Sequence, residues 1–464
     1  MGYQTSRIVM NRTSRKFSAL FRVTLSNMRH AKAVYNSTLF HIRNLFTGLQ
    51  KEEAVLTSNE KEVLDRVFWA MDDINEKRRA KGREPYALPD RDCPYLSDHL
   101  WISVMNRILK EICPRTEGFY SKLEQQVVTA ACRSMKSFTK SLKDHQRHPE
   151  KYLGRPHLPG YLRNDTFTLD YDSQMVKPEG TGKRHWLVLA GTGAVLPTGK
   201  KKFEDIVSVR LSWQNGRIVV SICRKTEDET VTDLDESRMI GIDPGVDNFM
   251  AVCPGFGEGP FLIRGGILKS VNQFYNKTRA GVQGKLKKEE DRHTSRRLDR
   301  LSADREDLLY NFFHQASAAI VNYALRERAG TLVIGKNTGW KQESSLGKQS
   351  NQNFVSIPHA RFLRILKDKA ERYGIRVIFQ EESYTSMASA PDRDPVPTYG
   401  RTKPETEPVF SGRRTKRGCY LTSNGRMLNA DVNGAANIIR KYRECGLQKD
   451  TEYLFGETRV YNVV

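Results

Sequence analysis

Two aspartates stand where phosphodiester chemistry needs carboxylates. Asp243 ends the apolar run Met239-Ile-Gly-Ile242 and precedes Pro244-Gly245. A Pro-Gly pair turns the chain sharply, which leaves the carboxylate near the rim of any sheet the run joins. Asp431 opens Asp431-Val-Asn-Gly-Ala-Ala-Asn-Ile-Ile-Arg440. The small residues Gly434, Ala435 and Ala436 let a helix press closely on a sheet, and the positive end of the helix dipole tolerates an anion there. Hydrolysis of a phosphodiester by two divalent ions held about 4 Å apart requires several such carboxylates to converge. Hard oxygen ligands suit Mg2+. Taken singly, Asp243 reads equally as a turn aspartate before Pro-Gly, and Asp431 as a helix N-cap.

The pattern around them supplies elements to hold both. Residues 239–243, 248–253, 331–334 and 376–379 read as short strands of an α/β unit, the last two flanking a helix over 358–373. Residues 271–328 read as one long charged helix that turns apolar near Phe312, Phe313, Ala316, Ile320 and Val321, where His314 reads as a core residue. A polar, Pro/Arg-rich insertion at 384–428 precedes a last helix over 431–442. Ahead of this unit, residues 24–145 are mainly helical. Their stretch 123–142 places Val127, Ala130, Ala131, Met135 and Phe138 on one side, with Arg133, Lys136 and Lys140 elsewhere. A Pro- and Asp-containing loop at 79–94 interrupts them. From Gly154 the texture becomes short β runs that read as a small β-barrel or an antiparallel sheet, with Asn215-Gly216 as a hairpin signal. An acidic linker at 226–236 closes this part.

The chain carries 76 Lys and Arg against 54 acids, a formal charge of +22 spread along its length. Such an excess suits an extended polyanion better than a local patch. No run of about 18 or more apolar residues marks a membrane span, and no secretory signal precedes the first helical stretch. The seven cysteines (93, 113, 132, 223, 253, 419 and 445) form no CxxC pair, which reads as reduced structural thiols in a cytoplasmic protein.

Taken in order, the Ile242-Asp-Pro-Gly245 element, the later strand pair and the Asp431-to-Ile438 helix resemble the split RuvC-like nuclease domain of the TnpB family. These are transposon-encoded RNA-guided nucleases, with compact type V CRISPR effectors as relatives. The resemblance also includes Val34-Tyr-Asn36, Arg155-Pro-His-Leu-Pro-Gly-Tyr161 and Tyr384-Thr-Ser386. Its most specific segments are Gly335-Lys-Asn-Thr-Gly-Trp-Lys-Gln342 and Asn351-Gln-Asn-Phe-Val-Ser-Ile-Pro-His359. It implies a multidomain α+β protein: a wedge-like small β-barrel at 1–23 and 151–236, a helical recognition domain at 24–150, and an RNase H-like (RuvC) nuclease domain at 237–383 and 429–445, with the insertion at 384–428 and a tail at 446–464. It implies prokaryotic, nucleoid-associated work on a guide RNA and a double-stranded DNA target with an adjacent motif, cut with two Mg2+ ions.

The chain departs from that family's pattern twice. The resemblance implies a middle catalytic glutamate just after the 332–334 strand, and Gly335 stands there, followed by Lys336. Glu381-Glu382 ends the next strand, which in an RNase H-like sheet is its neighbour about 4.8 Å away. Glu382 is therefore the expected substitute ligand beside Asp243 and Asp431, with Glu381 on the opposite face by strand alternation. A solvated strand end is the plainer reading of the pair, and Asp394 and Glu343 are weaker substitutes. The second departure is in the insertion, where the family's two zinc-binding CxxC pairs would fall on Ser389, Asp392, Leu421 and Asn424. Cys419 alone cannot make a tetrahedral thiolate site, so no structural zinc is expected. Arg413, Arg414 and Arg417 in the insertion, and Trp340 with Lys341, are further candidate nucleic-acid contacts; a solvated charge run and a loop-anchoring Trp explain them equally. Two rival functions follow from the same residues: a nuclease-dead RNA-guided repressor, which Gly335 favours, and a guide-independent DNA-binding transposition factor.

Overall fold

The computed structural model describes residues 2–463 apart from 228, 257–258, 291, 337–356, 399–407, 417 and 444–450, and describes the backbone alone at 289 and 290. The chain is a multidomain α+β protein that divides into two compact units, residues 3–226 and residues 227–464 taken with the first two. No described helix is long and apolar enough to cross a membrane.

In the first unit, strand β1 (Gly2–Met10) leads to helices α1 (Ser18–Gly48), α2 (Ser58–Arg79), α3 (Asp98–Ile112) and α4 (Ser121–Arg147). Leu20, Met28, Ala31, Val34, Leu39, Ile42 and Leu45 make a buried stripe on α1 at helical spacing. The stripe shares one core with Val104 and Ile108 of α3 and Val127, Val128 and Ala131 of α4. α1 begins ahead of residue 24 because Leu20 and Phe21 already belong to that stripe. A capping box opens α2: Thr57 Oγ1 accepts from Glu60 N at 3.3 Å, and Glu60 Oε2 accepts from Thr57 N at 3.0 Å.

Strands β2 (Leu169–Asp172), β3 (Val176–Thr181), β4 (Arg184–Leu189), β5 (Val195–Gly199), β6 (Ile206–Gln214) and β7 (Arg217–Thr226) complete this unit. Where the sequence predicts a small barrel or an antiparallel sheet, the described strands order as a four-stranded sheet, β1-β7-β6-β2, and a three-stranded sheet, β3-β4-β5. Between β6 and β7, Asn215 and Gly216 both take positive φ, 50° and 75°, as a two-residue primed hairpin turn demands.

The second unit is built on one sheet. Strands β8 (Asp235–Pro244), β9 (Asn248–Pro254) and β10 (Phe261–Arg264) form an antiparallel meander. After helices α5 (Gly266–Glu290) and α6 (Arg296–Arg326), β11 (Ala329–Gly335) returns parallel to β8. After α7 (His359–Arg372), β12 (Arg376–Gln380) lies parallel to β11. The single long helix expected over 271–328 is thus two, because Ser295 Oγ accepts from Leu298 N at 3.3 Å and starts a new helix. The insertion carries a small sheet of β13 (Arg413–Lys416), β14 (Cys419–Leu421) and β15 (Met427–Asn429), which feeds helix α8 (Ala430–Tyr442). With β16 (Arg459–Tyr461) at its edge, the large sheet has the order β12-β11-β8-β9-β10-β16.

Alternation along the central strands sorts the side chains onto two faces. Ile240, Ile242, Leu332 and Ile334 pack with Phe312, Phe313, Phe362 and Leu366 of α6 and α7. Met239 and Val333 point the other way and pack with Ile438 and Ile439 of α8. By the same parity Gly241, Asp243 and Gly335 belong to the α8 face. Gly241 sets how closely α8 sits, since a β-carbon there would collide with the Ala435 carbonyl oxygen.

Candidate active site

Asp243 lies within β8, opposite Ala251 of β9, and so ends a central strand with its carboxylate on the α8 face. Gly434 of α8 stands over it: a β-carbon there would lie 2.6 Å from Asp243 Oδ2. The Pro244-Gly245 turn that follows is braced from α7. His359 Nε2 donates to Gly245 O at 2.9 Å while its ring stacks on Phe249 at a centroid distance of 5.4 Å.

Asp431 is not the cap of its helix. Asn429 Oδ1 takes that role, accepting from Asp431 N at 3.0 Å and Val432 N at 3.1 Å. The Asp431 carboxylate, free of capping, accepts from Asn248 Nδ2 at 2.7 Å and from Arg414 Nη2 at 3.0 Å. Asn248 opens β9 just past the turn, and Arg414 sits on β13.

Glu382 arrives from the neighbouring strand. Gly335 pairs with Gln380 in the parallel β11–β12 ladder, and the chain runs two residues further to Glu382. A β-carbon at Gly335 would stand 2.5 Å from Glu382 Oε2 and 2.7 Å from Ile438 Cδ1. The carboxylate therefore fills the space that a side chain at 335 would take. Its Oε2 is buried and has no hydrogen-bond partner among the described residues. Glu381 is engaged elsewhere: it pairs with Lys441 and accepts from Ser383 N at 2.6 Å.

The charges speak to one another through Asp243. Burial, then Glu382, then Asp431 raise the Asp243 carboxyl well above the usual carboxylate range, with Arg414 opposing. Burial first, and Glu381 second, push Glu382 up to about 7, with Lys441 opposing. For Glu381 burial also pulls upward, but Lys441 and Ser383 outweigh it and hold the carboxyl low. Among the described residues no three Asp, Glu, His or Cys side chains converge on one metal position. Asn248 and Arg414 hold Asp431 in hydrogen bonds of its own.

The other candidates fall as follows. Arg413 is exposed on β13, and Arg414 spends its guanidinium on Asp431. Trp340, Lys341, Arg417 and Glu343 lie outside the described residues. Asp394 is a structural residue, accepting from Ser389 N at 2.8 Å and Ser411 N at 3.0 Å. At the places where zinc cysteines would stand, Ser389 Oγ donates to Asp392 Oδ2 at 2.5 Å, and Asp392 Oδ1 accepts from Ser423 Oγ at 2.6 Å.

Sequence reasoning missed Asn248, Lys441, Asn433 and Asn437. Lys441 Nζ is buried and donates to Ser383 O at 2.8 Å and Pro397 O at 2.9 Å. Asn433 and Asn437 both donate to Ala388 O, each at 2.7 Å. A signal for two of them was present: Gly434, Asn437, Ile438 and Lys441 recur at i, i+3, i+4 and i+7, one helix face.

Residues 221–341 match the family model OrfB_IS605, a probable transposase, and residues 359–438 match that of the Cas12f1-like TNB domain. No curated protein matches the chain. Among solved structures, a Cas12f1–sgRNA–target DNA complex is similar at 14% identity, over 85% of this chain and 82% of that one, with a TM-score of 0.45. A CRISPR-Cas12f ternary complex is similar at 12% identity, over 86% and 81%, with a TM-score of 0.31.

Proposed function

Because the chain belongs to the TnpB/Cas12f-like family, we propose that it is an RNA-guided, Mg2+-dependent DNA endonuclease with a RuvC-like site made by Asp243, Glu382 and Asp431. The observation that carries this reading is Glu382, whose carboxylate occupies the space over Gly335 and whose buried Oε2 has no hydrogen-bond partner among the described residues. The sheet order supports it, since only a β12 beside β11 lets a strand-end glutamate reach across to a vacancy at 335. The donors are all carboxylate oxygens, a set that fits Mg2+ better than a softer ion.

Mg2+ held by Asp243, Glu382 and Asp431 would supply activation of the attacking water and stabilisation of the leaving oxygen. The chain's own part is to hold the ligands: Asp243 from a central strand, Asp431 from the first turn of α8, and Glu382 from the end of β12. Arg413 on β13, with Trp340, Lys341 and Arg417, offers contacts to phosphates and bases of the strand being cut, while Arg414 stays on Asp431. In this reading residues 24–150 and 151–236 hold the guide RNA and read a short motif beside the target, while base pairing supplies sequence specificity. The +22 charge supports a polyanionic partner.

Protein purified with its own RNA is expected to cut a plasmid carrying the matching target once Mg2+ is added. Asp243→Ala, Asp431→Ala and Glu382→Ala should each slow this at least about a hundredfold, since a lost ligand removes several kcal/mol of transition-state stabilisation. Wild-type rates in Asp243→Ala or Asp431→Ala defeat the site; wild-type rates in Glu382→Ala alone defeat only the role of Glu382. Gly335 favours a guided but nuclease-dead repressor, which would bind the matched target without cutting it. The match to a probable transposase favours a guide-independent DNA-binding factor, whose specific DNA binding would survive RNase treatment.

A further inference from the structure

Within the first unit, a cavity of about 740 Å³ opens where the end of α1, the loop at 91–95, α4 and the segment 155–158 meet. That volume is in the range of sites that enclose a drug-sized or nucleotide-sized group. Its apolar wall is aromatic: Tyr95 stacks on Phe46 with centroids 5.5 Å apart at 29°, and Phe138 meets Phe46 edge-on at 6.4 Å. Tyr95 nevertheless keeps 43% of its surface open. The loop that presents it is held in place, because Gln50 Nε2 donates to Arg91 O at 2.9 Å and Asp90 Oδ1 accepts from Cys93 N at 2.6 Å.

The cavity's charge is unspent. Arg91, Lys143 and Arg155 line it, and none of the three makes an ion pair among the described residues. Other cations of the same unit are paired, as in Lys51–Glu60, Arg115–Glu124, Lys136–Asp98 and Arg210–Asp170. Asp92 is the one acid among the described lining residues. A part-exposed aromatic in a cavity lined by cations without ion pairs among the described residues is complementary to an unstacked base with its flanking phosphates. Base-paired duplex DNA offers no free base face, whereas RNA loops and ends do.

We infer that this cavity is a single-stranded RNA site, in which a splayed base stacks on Tyr95 while Arg91, Lys143 and Arg155 take the phosphates on either side. The inference rests on the RNA-guided reading and deepens it, but its test needs neither metal nor cleavage. The probe is a fluorescein-labelled oligouridylate of about 12 nucleotides, a length that spans one such groove, titrated into the full chain stripped of copurifying RNA. Tyr95→Ala should weaken binding about 10- to 100-fold, and Tyr95→Phe and Tyr95→Trp should restore it. Each of Arg91→Ala, Lys143→Ala and Arg155→Ala should lower the slope of log affinity against log salt by about 0.7. A Tyr95→Ala protein that binds as wild type overturns the site, and so does a loss that Phe and Trp fail to rescue. An equal effect of Tyr95→Ala on a duplex DNA probe overturns it too. If the wild-type chain binds no RNA, the guided reading itself falls. If it binds RNA regardless of Tyr95, only this site falls.

Discussion

A β-carbon at residue 335 would stand 2.5 Å from the Glu382 carboxylate and 2.7 Å from the δ-carbon of Ile438, so both side-chain ends must shift to admit one. Gly335→Ala is therefore expected to cost about 1–3 kcal/mol, the usual range for overpacking a core. It should also slow Mg2+-dependent cleavage, because the new methyl group displaces the carboxylate. In a Glu382→Ala background the stability cost should shrink, since only Ile438 is left to move. Urea denaturation of the four proteins in that cycle reads the coupling directly. Equal costs in both backgrounds would mean that Glu382 does not fill the space. The absence of a glutamate at 335 is visible in the sequence, and so is a spare glutamate pair one strand later. Not visible is that the glycine and the glutamate share one volume, which depends on the parallel register Gly335↔Gln380.

One element, α8, ties the site together. Its first turn carries Asp431, its middle carries Gly434 above Asp243, and its last turn carries Lys441, whose side chain is only 3% exposed. Lys441 holds Glu381, Ser383 and Pro397, the segments on both sides of Glu382. Lys441→Met is expected to cost about 2–4 kcal/mol, because it strands a carboxylate and two carbonyls whose partner was buried. Glu381→Gln should cost less, as that partner is 36% exposed. Cleavage should fall with Lys441→Met even at temperatures where the protein stays folded, which circular dichroism and the plasmid assay together establish. Cleavage at the wild-type rate in the folded variant would deny Lys441 any part in placing Glu382. The small residues of α8 announce close packing, and the strands announce themselves by apolar runs. The contacts that orient the carboxylates are different in kind. Asn248–Asp431 and Arg414–Asp431 join side chains 183 and 17 positions apart, and no periodicity encodes such pairs. The break between α5 and α6 was legible in principle, since Ser295 is an ordinary N-cap residue, but the continuous charge on either side masked it.

For the molecule as a whole, the crowded carboxylates make stability, protons and metal one equilibrium. Burial pushes the Glu382 carboxyl up to about 7 in the folded chain, above its ordinary 4.5, and Asp243 is raised in the same direction. A raised carboxyl means that the folded state keeps its proton where the unfolded chain has lost it. The stability this confers is full below about pH 4.5 and is lost as pH rises through about 7. For Glu382 the loss is about 3 kcal/mol in metal-free protein. A bound divalent cation reverses the preference by favouring the charged forms. Mg2+ should therefore raise the melting temperature of the transition belonging to residues 227–464, more at about pH 8 than at about pH 6, and should release protons as it binds. Glu382→Gln removes one titrating group and should flatten both the metal-free decline and the pH dependence of the Mg2+ shift. Scanning calorimetry at the two pH values, with proton release followed in two buffers of different ionisation enthalpy, measures each quantity. A Mg2+ shift that ignores pH and survives Asp243→Ala with Glu382→Gln would place the ions somewhere other than among these carboxylates. A shift that follows the titration of Glu382 and vanishes with it would tie metal, proton and fold to the same corner of the sheet.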